Sequence, residues 1–79
     1  MPTIFSPDDL AETPILRWFT YDHLPVPLQA ISKVYSDAAF LTVVHVEKGA
    51  ERTVALRKLL EAKDAAVRGY LESPKPVRG

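Results

Sequence analysis

The sequence predicts an all-α protein: an antiparallel helical hairpin behind an extended N-terminal arm, stabilised by association with further copies of itself as a homo-oligomer. Three observations carry that prediction. Leu56, Leu59, Leu60, Val67, Tyr70 and Leu71 fall three, four and seven residues apart, the spacing that gathers side chains on one side of a helix. A second apolar stretch precedes them, joined through Glu47, Lys48 and Gly49, and so short a connection makes the two helices antiparallel neighbours. The chain has 79 residues and no cysteine; it buries only a modest core and has no disulfides, so association is the expected stabiliser.

The arm, residues 1–18, holds Pro2, Pro7 and Pro14 and the acidic residues Asp8, Asp9 and Glu12. Ser6 followed by Pro7 is a helix start, with the serine as N-cap and the proline at the first helical position. The arm also reads as a disordered leader, against which Ile4 and Phe5 argue that it docks on something apolar. Residues 15–23, ILRWFTYDH, place Trp18 and Thr20 in alternation with Phe19 and Tyr21, which predicts an extended segment with two unlike sides. Two roles fit that segment. It is an aromatic plug for the core, or Tyr21 offers a flat ring for a base and a hydroxyl for a phosphate or ribose.

Leu24-Pro25-Val26-Pro27 is punctuation, because proline disfavours helix before it and presets the first helical turn after it. A helix is expected from Pro25 or Pro27 to about Val46, with Leu28, Ile31, Tyr35, Ala38, Leu41 and His45 on its inner stripe and Ala30 and Val34 beside them. That surface is wider than one facing helix covers, which again points to neighbouring copies. Gly49 is available for a left-handed helix end. The second helix is expected over residues 50–70, rich in Ala, Leu, Glu, Lys and Arg, with a charged stripe of Arg57, Glu61, Asp64 and Arg68 in which Asp64 precedes Arg68 in the favourable order. Gly69 marks a bend or a close approach by another chain, and Ser73-Pro74-Lys75-Pro76 ends the helix. The organisation is thus an arm (1–18), a hairpin domain (19–72) and a tail (73–79).

Ten basic and ten acidic residues give a formal net charge of zero, so no basic footprint for duplex nucleic acid is present. The longest uncharged apolar run, residues 38–46, is too short to span a bilayer, and no secretory leader is evident; a soluble cytoplasmic protein is expected. No enzymatic activity is expected: His23 and His45 lie on different elements, no serine or threonine has a local base, and the three glycines form no phosphate loop. No metal or cofactor is expected either. What remains is binding. Arg52 and Thr53, beside the free amides opening the second helix, make an anion site, and a symmetric oligomer would converge such cations on a small charged ligand. Solvated surface charge on a structural hairpin is the competing explanation.

The blocks FTYDHLP, LQAIS and GAERTVALRKLLEAKDAAVR together resemble the small phage-encoded helical-hairpin proteins that inhibit CBASS immunity by sponging its cyclic oligonucleotide signals, a hairpin shared with the anti-Thoeris sponges. The resemblance spans residues 19–71. It implies a compact homohexamer in the cytoplasm of the infected bacterial host. Cyclic dinucleotides such as cyclic GMP-AMP would lie between paired subunits, with cyclic trinucleotides in separate pockets in some members, and the signal would be withheld without being degraded. Residue by residue, it implies that Tyr21 stacks on a base and that Lys33, or alternatively Ser32, contacts phosphate early in the first helix. Arg52 and Thr53 match the loop-to-helix segment and Arg57 a variable position, with Lys63 and Arg68 as further cationic candidates. The end of the first helix, AAFLTVVHVEKG, departs from the pattern in being more apolar and β-branched, and residues 1–16 have no counterpart.

Overall fold

The computed structural model describes residues 5–73. All its regular elements are helices: α1 (Pro7–Glu12), a 3-10 helix (Pro14–Phe19), α2 (Val26–His45) and α3 (Ala50–Glu72). The expectations for Ile4 and for residues 74–79 lie outside the described residues.

The long helices form the hairpin that the periodicity predicts, packed against each other. α2 starts at Val26 with Pro27 in its first turn, where the missing proline N–H has no helical partner to lose. Its end differs from expectation. Val46 closes the helix in an extended conformation, and Gly49 is also extended, at φ 169°. Gly49 therefore serves as the start of α3 and not as a left-handed end: its carbonyl accepts from the Thr53 amide and the Thr53 Oγ1 hydroxyl, at 3.0 and 3.1 Å.

Before the hairpin, Ser6 caps α1 as expected. Its hydroxyl accepts from the Asp9 amide at 3.1 Å while the Asp9 carboxylate accepts from the Ser6 amide at 3.3 Å, a reciprocal pairing that satisfies two donors at once. The segment predicted to run extended does not. Residues 14–19 wind into a 3-10 helix, whose three-residue period stacks side chains i and i+3. Leu16 and Phe19 consequently point the same way, both fully buried, while Trp18 is 61% exposed. The core wins over the strand-like alternation because one 3-10 face delivers two large apolar groups to it, where a strand would send them to opposite sides.

One core draws on every part of this arrangement: Phe5, Leu16, Phe19, Ala39 of α2 and Leu56 of α3, with Leu10, Ile15, Tyr35, Val43, Leu59 and Leu60 partly buried around it. Phe5 also lies against Phe40, ring centroids 6.4 Å apart. The 3-10 helix touches both long helices and so roofs the groove between them.

The inner face of α2 agrees with the predicted stripe at Leu28 and Tyr35, with Ile31 and Ala38 half-buried, and departs from it toward the helix end. Leu28, Ser32, Ser36 and Ala39 are buried, whereas Leu41 and His45 are exposed. Apolar residues on more than one side of α2 leave its periodicity without a sharp phase. Small side chains decided the matter, since Ser32, Ser36 and Ala39 let neighbouring elements approach closely. The Ser32 and Ser36 hydroxyls have no hydrogen-bond partner among the described residues. A buried unpaired hydroxyl costs about 1–3 kcal/mol, and alanine is the better helix former. Ser32→Ala and Ser36→Ala are therefore each expected to raise the melting temperature; a fall would mean that the hydroxyl has a partner in solution.

The opposite face of α2 has no counterpart in the protomer. Val34, Leu41 and Val44 are 65%, 54% and 56% exposed, and with Val26 and Ala30 they lie about half a turn from Ser32 and Ala39. That face is not purely apolar: the Lys33–Asp37 pair, at 2.7 Å, lies among these side chains, and on α3 Lys58 pairs with Glu61 at 4.0 Å. The pairing predicted between Asp64 and Arg68 is not made, and both side chains face solvent. No described helix is long and apolar enough to cross a membrane.

Candidate functional site

The sequence-predicted residues fall into two groups and one outlier. The first group lines a cleft of about 240 Å³ between the arm and the start of α3, walled by Glu12, Thr13, Pro14 and Ile15 on one side and by Lys48, Arg52, Thr53, Leu56 and Arg57 on the other. Arg52, Thr53 and Arg57 share this cleft because they lie on successive turns of α3. Lys48 joins them from the interhelix loop.

Arg52 is also a structural tie. One guanidinium nitrogen donates to the Thr13 hydroxyl at 3.1 Å and the other to the Val46 carbonyl at 3.3 Å, fastening the arm and the end of α2 to α3. Arg57 and Lys48 make no side-chain hydrogen bond or ion pair among the described residues. The cleft therefore holds two unengaged cations, a third held in place, and the hydroxyls of Thr13 and Thr53. Its apolar lining comes from Pro14, Ile15 and Leu56. Positive charge and donors beside apolar surface suit a phosphate ester attached to a ring.

The second group surrounds the turn after the 3-10 helix. Tyr21 is half-buried there; its carbonyl accepts from the Leu24 amide at 3.0 Å. Gln29 reaches back from α2 to donate to the Leu24 carbonyl at 2.6 Å and the Asp22 carbonyl at 3.5 Å, so the loop carrying the tyrosine is strapped to the helix. Lys33 lies close by. Its ammonium is held above the ordinary lysine range by the hydrogen bond and charge of Asp37, and the Tyr21 phenol acts in the same direction. Of the two first-helix candidates, Lys33 is exposed and Ser32 is fully buried. Lys63 donates to the Trp18 carbonyl, which ties α3 to the end of the 3-10 helix.

Arg68 is the outlier. Sixteen residues of helix separate it from Arg52, about 24 Å at 1.5 Å per residue, so one protomer cannot bring both to one small ligand.

Sequence reasoning missed Glu12, Thr13 and Lys48. Nothing in local pattern signals that the arm folds back over the second helix, and that fold alone makes them neighbours of Arg57. No protein-family model, no curated protein and no solved structure matches this chain.

Proposed function

We propose that this protein is a noncatalytic sponge, a homo-oligomer that binds cyclic oligonucleotide signals and withholds them from their receptors. The reading joins the resemblance of its FTYDHLP and ERTVALRKLLEAKDAAVR blocks to the phage anti-CBASS sponges with one observation, the cleft in which Arg57 and Lys48 are unengaged beside Arg52, Thr13 and Thr53. A cleft of about 240 Å³ is smaller than the roughly 300–1,000 Å³ of a complete small-molecule site. One protomer would enclose only part of a cyclic dinucleotide or trinucleotide, and a second copy would supply the rest. The unpartnered outer face of α2 supports that assembly, of which a hexamer is the form the resemblance implies. In this reading Tyr21 stacks on a base, at about 1–3 kcal/mol, Lys33 and Arg57 neutralise phosphate, and the host cytoplasm is where capture occurs.

A structural or protein-interaction hairpin is the second reading, favoured by the internal engagement of three of the candidate cations: Arg52 with Thr13 and Val46, Lys33 with Asp37, and Lys63 with Trp18. Thermal unfolding against a panel of cyclic di- and trinucleotides separates the two. The sponge requires a rise in melting temperature with at least one of them. Arg57→Ala is expected to weaken that binding, because a charge-assisted hydrogen bond is worth about 1.5–3 kcal/mol, and Tyr21→Ala to remove the response to dinucleotides with the assembly intact. A flat response across the panel leaves only the structural reading.

A further inference from the structure

The cleft holds one residue that phosphate binding does not explain. Glu12, the last residue of α1 and solvent-exposed, lines it from the arm, while Arg57 and Lys48 line it from α3 and the interhelix loop. A carboxylate among cations is ordinarily their counter-ion. Yet among the described residues Glu12 makes no ion pair and no side-chain hydrogen bond. Against a phosphate it would be repulsive, so it belongs where the ligand presents donors and no charge.

The walls divide that labour. Cations come from α3 and the interhelix loop, the carboxylate comes from the arm, and both walls add apolar surface, Pro14 and Ile15 from the arm and Leu56 from α3. A nucleotide whose phosphate meets the cations lays its base against that apolar surface, with the base edge toward Glu12. An ionised carboxylate only accepts, through two oxygens side by side. Among the common bases guanine alone offers two adjacent donors, N1–H and the N2 amino group, on its pairing edge. Adenine and cytosine set an acceptor nitrogen beside their amino group, and uracil has a single N–H.

We infer that Glu12 is a specificity-determining residue that selects guanine in the ligand held by this cleft. The inference rests on the sponge reading and names the base it favours. Edge readout of this kind in an unpaired base is the usual way that proteins distinguish nucleotides.

Calorimetric titration of the full chain with cyclic di-GMP, cyclic di-AMP and linear GMP tests it, alongside Glu12→Gln. Cyclic di-GMP is expected to bind the natural protein at least about tenfold more tightly than cyclic di-AMP, in the range of one bidentate base contact. Glu12→Gln replaces one acceptor by an NH₂ group that confronts the guanine amino group. That variant is expected to lose the preference while keeping its affinity for cyclic di-AMP, with an unchanged circular dichroism spectrum. Linear GMP binding as tightly as cyclic di-GMP would uphold the role of Glu12 and overturn the cyclic ligand. Equal affinity of the natural protein for the two cyclic ligands, or a guanine preference that survives in Glu12→Gln, would overturn the inference alone. No binding of either cyclic dinucleotide would also overturn the inference, whereas the sponge reading falls only with a flat response across the full panel of cyclic di- and trinucleotides.

Discussion

Phe19→Ala is expected to remove about 3–5 kcal/mol of stability, the usual cost of truncating a fully buried phenylalanine, and Leu16→Ala about 2–5 kcal/mol. Both side chains have no exposed surface. A chain of 79 residues has roughly 4–12 kcal/mol in all at the usual 0.05–0.15 kcal/mol per residue, so Phe19→Ala leaves a large unfolded fraction at the low end of that range. Trp18→Ala and Arg17→Ala, on the outer side of the same 3-10 turn, are expected to stay within about 1 kcal/mol. Urea unfolding of the four variants reads out the period directly. Large losses at positions 16 and 19 with small ones between are what a three-residue period requires. An extended arm would instead pair position 17 with 19 and spare 16.

The second large effect concerns assembly. Val34→Asp combined with Leu41→Asp places two carboxylates on the outer face of α2, where both native side chains are already more than half exposed in the protomer. Surface substitutions of this kind usually change protomer stability by no more than about 0.5 kcal/mol. If that face is a seam between copies, the same change removes two apolar groups worth about 1.5–3 kcal/mol each on burial and adds charges that have no partner there. The expected result is a helical monomer by light scattering and circular dichroism where the natural chain is an oligomer. Nucleotide binding is expected to be lost with it, because the second half of each site would leave. A double variant with the natural chain's mass in solution would assign the seam to another surface, and a monomeric natural chain would end the oligomeric reading altogether.

The legible parts of this protein were those encoded locally. Ser6 and Pro7 announce α1 because capping and a fixed φ need only neighbours in sequence. α3 was legible over almost its full length, since its apolar residues fall on one side and its formers are strong. The α2 boundaries were legible too, from the prolines that open it. Its inward face was legible only in part: Leu28 and Tyr35 of the predicted stripe pack inward, but apolar residues on several sides blur the phase, and Ser32 and Ser36 would ordinarily be placed outside. The 3-10 helix was missed for a related reason: four residues of alternating character in the WFTY run fit a strand, and only a groove waiting between α2 and α3 favours the tighter winding.

The candidate site divides in the same way. Arg52, Thr53 and Arg57 were found together because helical spacing alone puts them within two turns. Their surroundings were not foreseeable. Glu12 and Thr13 stand some forty residues earlier in the chain, and it takes the packed arm, with Arg52 fastened to the Thr13 hydroxyl, to make them the facing wall. Lys63, a further cationic candidate, donates within the protomer to the Trp18 carbonyl, a contact between residues 45 positions apart that no local pattern announces.

The amino-acid sequence alone specified α1 and the two long helices, their antiparallel run and the cations they carry, because propensity, capping and short connections act over a few residues. Only the tertiary structure decided that Ser32, Ser36 and Ala39 of α2 turn inward, that the arm winds and docks as a roof, and that a carboxylate shares a cleft with the cations. Those outcomes depend on how volumes fit between elements distant in the chain, and close packing of that kind leaves no periodic trace in any one segment.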